Sequence, residues 1–137
     1  MLDIIYKLSD LDKLASVLIE ELPSKIVCFK APMGAGKTTL IKAILKNLNA
    51  TDLGQSPSFG IVNEYPDDSG NTLAYHFDMY RLNSPEEALD FGIEEYLSFQ
   101  GWIFIEWPEL IEELLPENAT FVEISILDDQ SRQLYIH

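Results

Sequence analysis

The chain has a single cysteine, Cys28, so no disulfide can form within it. The thiol lies inside an apolar run, where it reads as a small buried hydrophobe, and a reducing cytoplasm is the expected compartment. Long apolar stretches are missing as well. None approaches the roughly 20 residues that a membrane helix needs. Met1-Leu2-Asp3 opens without a basic leader or cleavage site. These absences predict a cytoplasmic protein that makes no membrane contact. Cations are the third shortage: nine Lys+Arg stand against 23 Asp+Glu, for a net charge of −14. Only Arg81 and Arg132 are arginines. Between Leu82 and Ser131 there is no lysine or arginine, while the same span holds thirteen carboxylates. Nucleic-acid binders show the opposite footprint, so direct tight binding to RNA is disfavoured. Most of this acidic surface reads as a solvated face, and part of it suits docking on a basic partner.

What is present is a stretch from Ile26 to Asn47, IVCFKAPMGAGKTTLIKAILKN. An apolar strand leads into a turn ending in Gly36-Lys37-Thr38, followed by a helix with Leu40, Ile41, Ile44, Leu45 and Leu48 on one face. This is a P-loop in its required strand–loop–helix context. A helix opening there presents unpaired N–H groups and the positive end of its dipole to a phosphate. Gly34 and Gly36 let the backbone approach, Lys37 reaches the β/γ-phosphates, and the Thr38 hydroxyl is suited to Mg²⁺. Ala31 stands where the strict pattern has glycine. Alanine is harmless there with a negative φ and costs ~1–2 kcal/mol in a left-handed conformation.

The 137 residues, 47% of them hydrophobic, fit one globular domain spanning 1–137. Ile4–Leu8 reads as an edge strand. Ser9 reads as the cap of a helix carrying Asp12 in its first turn, with Leu11, Leu14, Ala15, Leu18 and Leu22 as its buried stripe. Ile61–Tyr65 and Thr72–Phe77 read as strands joined by a turn-rich connection from Pro66 to Asn71. Ser84-Pro85-Glu86-Glu87 opens a helix that ends near Gly92. Ile93–Phe99 reads as a helical turn, Trp102–Glu106 as a strand and Pro108–Leu115 as a short acidic helix. Ala119–Leu127 and Gln133–Ile136 read as a closing strand pair. The alternation predicts a three-layer α/β domain, P-loop NTPase-like, with a mixed, mostly parallel central sheet. Two apolar strands are tipped by acids, Asp78 and Glu106. Both resemble the acid-tipped strand that helps hold Mg²⁺ and orient water in P-loop enzymes.

The remaining candidates each carry two readings. His76 serves the core or the site. Arg81 pairs with Asp78, or meets phosphate or a partner. Trp107 packs the rim or borders the nucleotide. Ser56-Pro57-Ser58-Phe59 is a proline-led turn, or a segment that senses the γ-phosphate. Arg132 contacts phosphate or caps the acidic surface. No Asn-Lys-x-Asp string for guanine is present, and two arginines with no long lid insertion weaken a small-molecule kinase reading. A compact ATPase coupled to a partner remains.

Five strings occur in the order and approximate spacing of the bacterial TsaE (YjeE-type) family. They are Met33-Gly34-Ala35-Gly36-Lys37-Thr38-Thr39, Ser56-Pro57-Ser58-Phe59, His76-Phe77-Asp78-Met79-Tyr80-Arg81-Leu82, Gly92-Ile93-Glu94-Glu95-Tyr96 and Ile105-Glu106-Trp107-Pro108. Ala31, usually glycine, and Ser58, usually threonine, depart from the family pattern. The resemblance implies an ATPase required for threonylcarbamoyladenosine modification beside the anticodon of tRNA. Such a protein acts with ATP and Mg²⁺ on the TsaB–TsaD complex and meets tRNA only through those partners. On that likeness the nucleotide is expected on Met33–Thr39 with Trp107 and Arg132 nearby, and the metal near Thr38, Glu106 and Asp78. Asp78, Glu106 and Lys37 are the expected catalytic groups. Ser56, Ser58, His76, Tyr80 and Arg81 are the expected switch or partner-sensing residues. With no arginine finger beside the P-loop, turnover is expected to be slow alone and faster once a partner completes the site.

Overall fold

In the computed structural model, residues 2–51 and 61–137 are described. Seven strands form one sheet: β1 Leu2–Lys7, β2 Ile26–Lys30, β3 Val62–Pro66, β4 Thr72–Asp78, β5 Trp102–Glu106, β6 Thr120–Ile126 and β7 Ser131–Ile136. Their order is β1-β7-β6-β2-β5-β4-β3. The four central strands, β6, β2, β5 and β4, pair in parallel, and antiparallel neighbours extend both sides. Only β3 and β7 run against the other five, so the sheet is mixed and mostly parallel as the sequence predicts.

Period-two burial in the central strands makes the three layers. Val27 and Phe29 of β2 pack against Leu14 and Leu18 of α1 (Leu11–Glu21) and Leu40, Ile41 and Ile44 of α2 (Lys37–Asn47). Ile26 and Cys28, on the opposite face, join Ala88 of α3 (Pro85–Asp90), Ile93 of α4 (Ile93–Leu97) and Ile111. Each fully buried Leu, Ile or Phe contributes about 1.5–3 kcal/mol. β2, flanked by β5 and β6 and buried on both faces, is thereby fixed rigidly beneath the loop that follows it.

The element ends differ from expectation in three places. Ser9 does not cap α1. A 3₁₀ turn, Leu8–Asp10, precedes the helix, Asp10 is its N-cap, and the Asp10 carboxylate accepts the Lys7 amide at 3.1 Å. That carboxylate closes the 3₁₀ turn and makes no cap bond to α1 itself, so the helix starts one residue later than a serine cap would place it. The acidic segment after β5 is 3₁₀ in character over Pro108–Leu114, with a break at Ile111, because it must start from a left-handed Trp107. Ser84 precedes Pro85 as expected, but its hydroxyl makes no cap bond. The connection from β3 to β4 matches its composition, since the Asp67 carboxylate accepts the Ser69 and Asn71 amides.

Candidate functional site

The loop between β2 and α2 lies at the carboxyl ends of the parallel strands, where ligands sit in such sheets. Gly34 and Gly36 have φ of +82° and +94°, and an added Cβ would meet nothing within 4 Å at either. Their glycine character thus serves the backbone conformation, not the space. Gly36 is the N-cap of α2, so the helix dipole and the first amides face the cleft. Among the described residues, the positive-φ positions apart from glycines are Asn49 and Trp107, and Ala31 is not one of them. Its methyl therefore costs the loop no left-handed strain.

Lys37 is 6% exposed, donates to the Ala31 carbonyl at 2.8 Å, and holds its ammonium 3.5 Å from the Trp107 ring centroid. A desolvated cation on a tryptophan face is stabilised by about 2 kcal/mol. Burial pushes the Lys37 pKa down, and the carboxylates of Glu106, Glu109 and Asp78 pull it back up. Trp107 reaches this position from an αL backbone, φ +56°. Strained residues of this kind concentrate at sites where position matters.

Glu106 is the hub. Its carboxylate accepts the Thr38 hydroxyl at 2.9 and 3.0 Å and shares a 2.6 Å hydrogen bond with His76 Nε2. Both Glu106 and His76 are buried. Asp78 is the direct partner of Glu106 in the β4–β5 ladder, and its own carboxylate accepts the Tyr80 amide. A cleft of about 390 Å³ is lined by Met33 to Thr38 together with Asp78, Tyr80, Arg81, Glu106 and Trp107. That size lies within the range of small-ligand sites.

Most of the expected residues therefore meet in one place. Tyr80, 58% exposed, and Arg81 stand at the mouth with Met33, and Tyr80 packs on Trp107 at 5.2 Å. His76 sits inside the site, on Glu106, rather than on its surface. Thr39 is exposed and does not line the cleft. Arg132, expected at the nucleotide, lies behind the loop. Its Nε donates to the Ala35 carbonyl at 3.1 Å, and an Nη donates to the carbonyls of Asp128 and Ser131. Placed in β7, it reaches the loop from below and braces it. Ser56 and Ser58 lie outside the described residues.

A smaller hollow of about 130 Å³ continues past Glu106 and is lined by Thr38, Lys42, Ile61, Asn63, Tyr65, His76, Asp78 and Glu106. Asn63 faces His76 in the β3–β4 register and donates to the Tyr65 hydroxyl at 3.2 Å. Sequence reasoning missed Lys42, Asn63 and Tyr65. The available signal was the alternation of β3, which puts Ile61, Asn63 and Tyr65 on one face. Among the described residues, no group of three or more His, Cys, Asp or Glu is placed to hold a metal. Mg²⁺ takes one or two protein oxygens and completes its shell with water and phosphate. The Thr38 hydroxyl and Glu106 carboxylate are such a pair.

Sheet, loop and acid-tipped strands together define a three-layer α/β domain of the P-loop type. The family model described as threonylcarbamoyl adenosine biosynthesis protein TsaE matches residues 5–134. The chain belongs to the TsaE family. It is 37% identical over 112 residues to the tRNA threonylcarbamoyladenosine biosynthesis protein TsaE of Bacillus subtilis, covering 82% of this chain and 68% of that protein. With the protein of the same name from Aquifex aeolicus it shares 34% identity over 131 residues, 93% of this chain and 89% of the relative. A crystal structure of Bacillus subtilis YdiB superposes with a TM-score of 0.72 at 27% identity, covering 97% of this chain and 83% of the other. No helix among the described residues is long and apolar enough to cross a membrane.

Proposed function

We propose that this protein binds and hydrolyses MgATP to support threonylcarbamoyladenosine modification of tRNA, acting in the cytoplasm on a TsaB–TsaD complex. One observation carries this reading: Lys37, Thr38, Glu106 and Trp107 converge on a single cleft over the glycine-bearing loop. Family membership supports the pathway, and the cleft supports the chemistry.

Phosphoryl transfer needs positioning and charge stabilisation more than covalent help. The loop amides from Gly34 to Thr38 cradle the phosphates. Lys37 supplies its charge at the γ-phosphate end from a desolvated position, where it acts strongly. Thr38 and Glu106 would hold the metal, which would neutralise charge developing on the phosphate oxygens. Asp78, on the neighbouring strand tip, orients the attacking water, with Glu106 fixed beside it by His76. Trp107 walls the cleft and excludes solvent from Lys37. Arg81 and Tyr80 stand at the mouth, where a partner can complete the site. The net charge of −14 accords with contact through protein rather than tRNA.

The test is steady-state phosphate release from MgATP, by this protein alone and with purified TsaB–TsaD added. Slow release that rises strongly with the pair is expected. Nucleotide binding with no release in either condition would leave a nucleotide-gated assembly factor. Transfer of phosphate to a small molecule instead of water would replace the reading with a kinase.

A further inference from the structure

The string Gly92-Ile93-Glu94-Glu95-Tyr96 takes no part in the cleft. It lies in the opposite helical layer, where it helps to form a second cavity of about 400 Å³. The walls are Tyr75, Phe91, Gly92, Glu95, Tyr96 and Phe99. Four of these six residues are aromatic and one is a carboxylate. The rings stand at steep angles: Tyr75 meets Tyr96 at 4.9 Å and 82°, and Phe99 at 4.9 Å and 74°. Tyr96 is held in turn by Phe77, at 5.1 Å and 81°. Phe99 is seated closely on Gly101, where an added Cβ would lie 2.5 Å from its ring. The walls are therefore fixed by packing.

We propose that this cavity binds an arginine side chain presented by a basic segment of a partner protein. A flat cation gains from contact with aromatic rings, and such contacts strengthen as water is removed. Glu95, exposed at the rim, supplies the carboxylate that a guanidinium pairs with in a planar fork. The surroundings point the same way. Glu86, Asp90 and Glu94 are exposed on the same two helices, and no lysine or arginine occurs between Leu82 and Ser131 to compete for the cavity. An apolar partner segment would gain from the rings but nothing from the carboxylates. An RNA backbone would be repelled. A basic segment alone answers both features.

The inference does not rest on the ATPase reading, and the test needs no nucleotide. The full chain, ¹⁵N-labelled, is titrated with three short peptides that share one scaffold and carry arginine, norleucine or glutamate at the central position. Amide shifts are followed by NMR. The arginine peptide is expected to shift Gly92, Glu95, Tyr96 and Phe99, with an affinity at least fivefold above that of the norleucine peptide. Glu95→Gln, a change at an exposed side chain, is expected to remove most of that advantage without moving the melting temperature. Saturating MgATP should leave the affinity unchanged. Equal binding of the norleucine peptide would overturn the proposal in favour of a plain apolar groove. Arginine-dependent shifts scattered over the acidic surface, with Gly92 to Phe99 unmoved, would overturn it in favour of diffuse charge attraction. A single-stranded RNA oligonucleotide that shifts the same amides would overturn the choice of partner.

Discussion

Asp78 and Glu106 are direct partners in the parallel β4–β5 ladder, so the two strand tips deliver their carboxylates side by side at one edge of the sheet. The amide of Met79, just past Asp78, donates to the Glu106 carbonyl at 3.1 Å and keeps both tips in step. Glu106→Gln and Asp78→Ala are expected to fold normally and to lower phosphate release roughly 100-fold or more, the size of a lost catalytic carboxylate. Nucleotide binding should survive Asp78→Ala. Normal turnover in either variant would remove that residue from the mechanism.

In the proposed site His76 acts through Glu106, to which it is hydrogen-bonded. Removing its 2.6 Å hydrogen bond leaves Glu106 Oε2 with the Thr38 hydroxyl alone, at 3.0 Å, in a buried setting. His76→Phe is expected to lower kcat roughly 10- to 100-fold, as loss of an orienting contact does, with little change in KM. His76→Gln, which keeps a donor near the same place, should recover part of the loss. A merely structural histidine would lower the melting temperature in both variants and leave kcat alone.

Arg132 is buried at 7% exposure and spends its hydrogen bonds on main-chain carbonyls. Arg132→Met should cost on the order of 1.5–3 kcal/mol of stability for the lost charged hydrogen bonds. The brace on Ala35 also goes, so nucleotide affinity should fall although Arg132 does not line the cleft. Thermal unfolding with and without nucleotide separates the two effects. An unchanged affinity would mean that the brace is dispensable.

Gly36 and Ala31 bracket the loop, and exchanging either should be costly for a different reason. Gly36→Ala forces alanine to a φ of +94°, costing about 1–2 kcal/mol or distorting the loop, and nucleotide affinity should drop. Ala31→Gly restores the usual pattern but relieves no strain. Its expected effect is a loss of about 0.4–1 kcal/mol through a looser unfolded chain. Calorimetry on both variants checks the pair, and a stabilising Ala31→Gly would contradict the assigned backbone.

Burial, the largest cause, pushes the Cys28 thiol up from 9.0 to about 12, with Glu112 adding to the shift. A group whose folded pKa is raised favours the folded state while protonated. Its contribution is full below pH 9 and is lost as the pH rises toward 12. The thiol should therefore resist iodoacetamide at pH 8 in the native protein and react only on unfolding. Rapid labelling of folded protein would show that β2 is less tightly covered than its packing indicates.

The sequence displayed what is local. The P-loop helix was legible because its apolar face, its glycines and Lys37-Thr38 all lie within one short stretch. Trp102–Glu106 was legible because a run of apolar residues ending in an acid has few other uses. Relationships set by tertiary packing were not legible. That β7 lies between β1 and β6, and so brings Arg132 behind Ala35, depends on strand order, which no local pattern encodes. The partnership of His76 with Glu106 spans 30 residues and exists only because β4 lies beside β5. Asn63 looked like an ordinary strand residue until register placed it opposite His76. Ser9 misled because a serine before an apolar stripe is a common cap, whereas the 3₁₀ turn Leu8–Asp10 moves the N-cap position on to Asp10.

Among the described strands β1 pairs with β7 alone, although the other five lie between the two in sequence. During synthesis β1 must wait for β7 before it can pair, and such distant contacts form slowly. The same late strand carries Arg132. A growing polypeptide can thus complete the parallel centre of the sheet while the loop over β2 still lacks its support from behind. The loop over β2 gains this brace only once β7 has joined the sheet, so its support belongs to the closed sheet and not to the parallel centre alone.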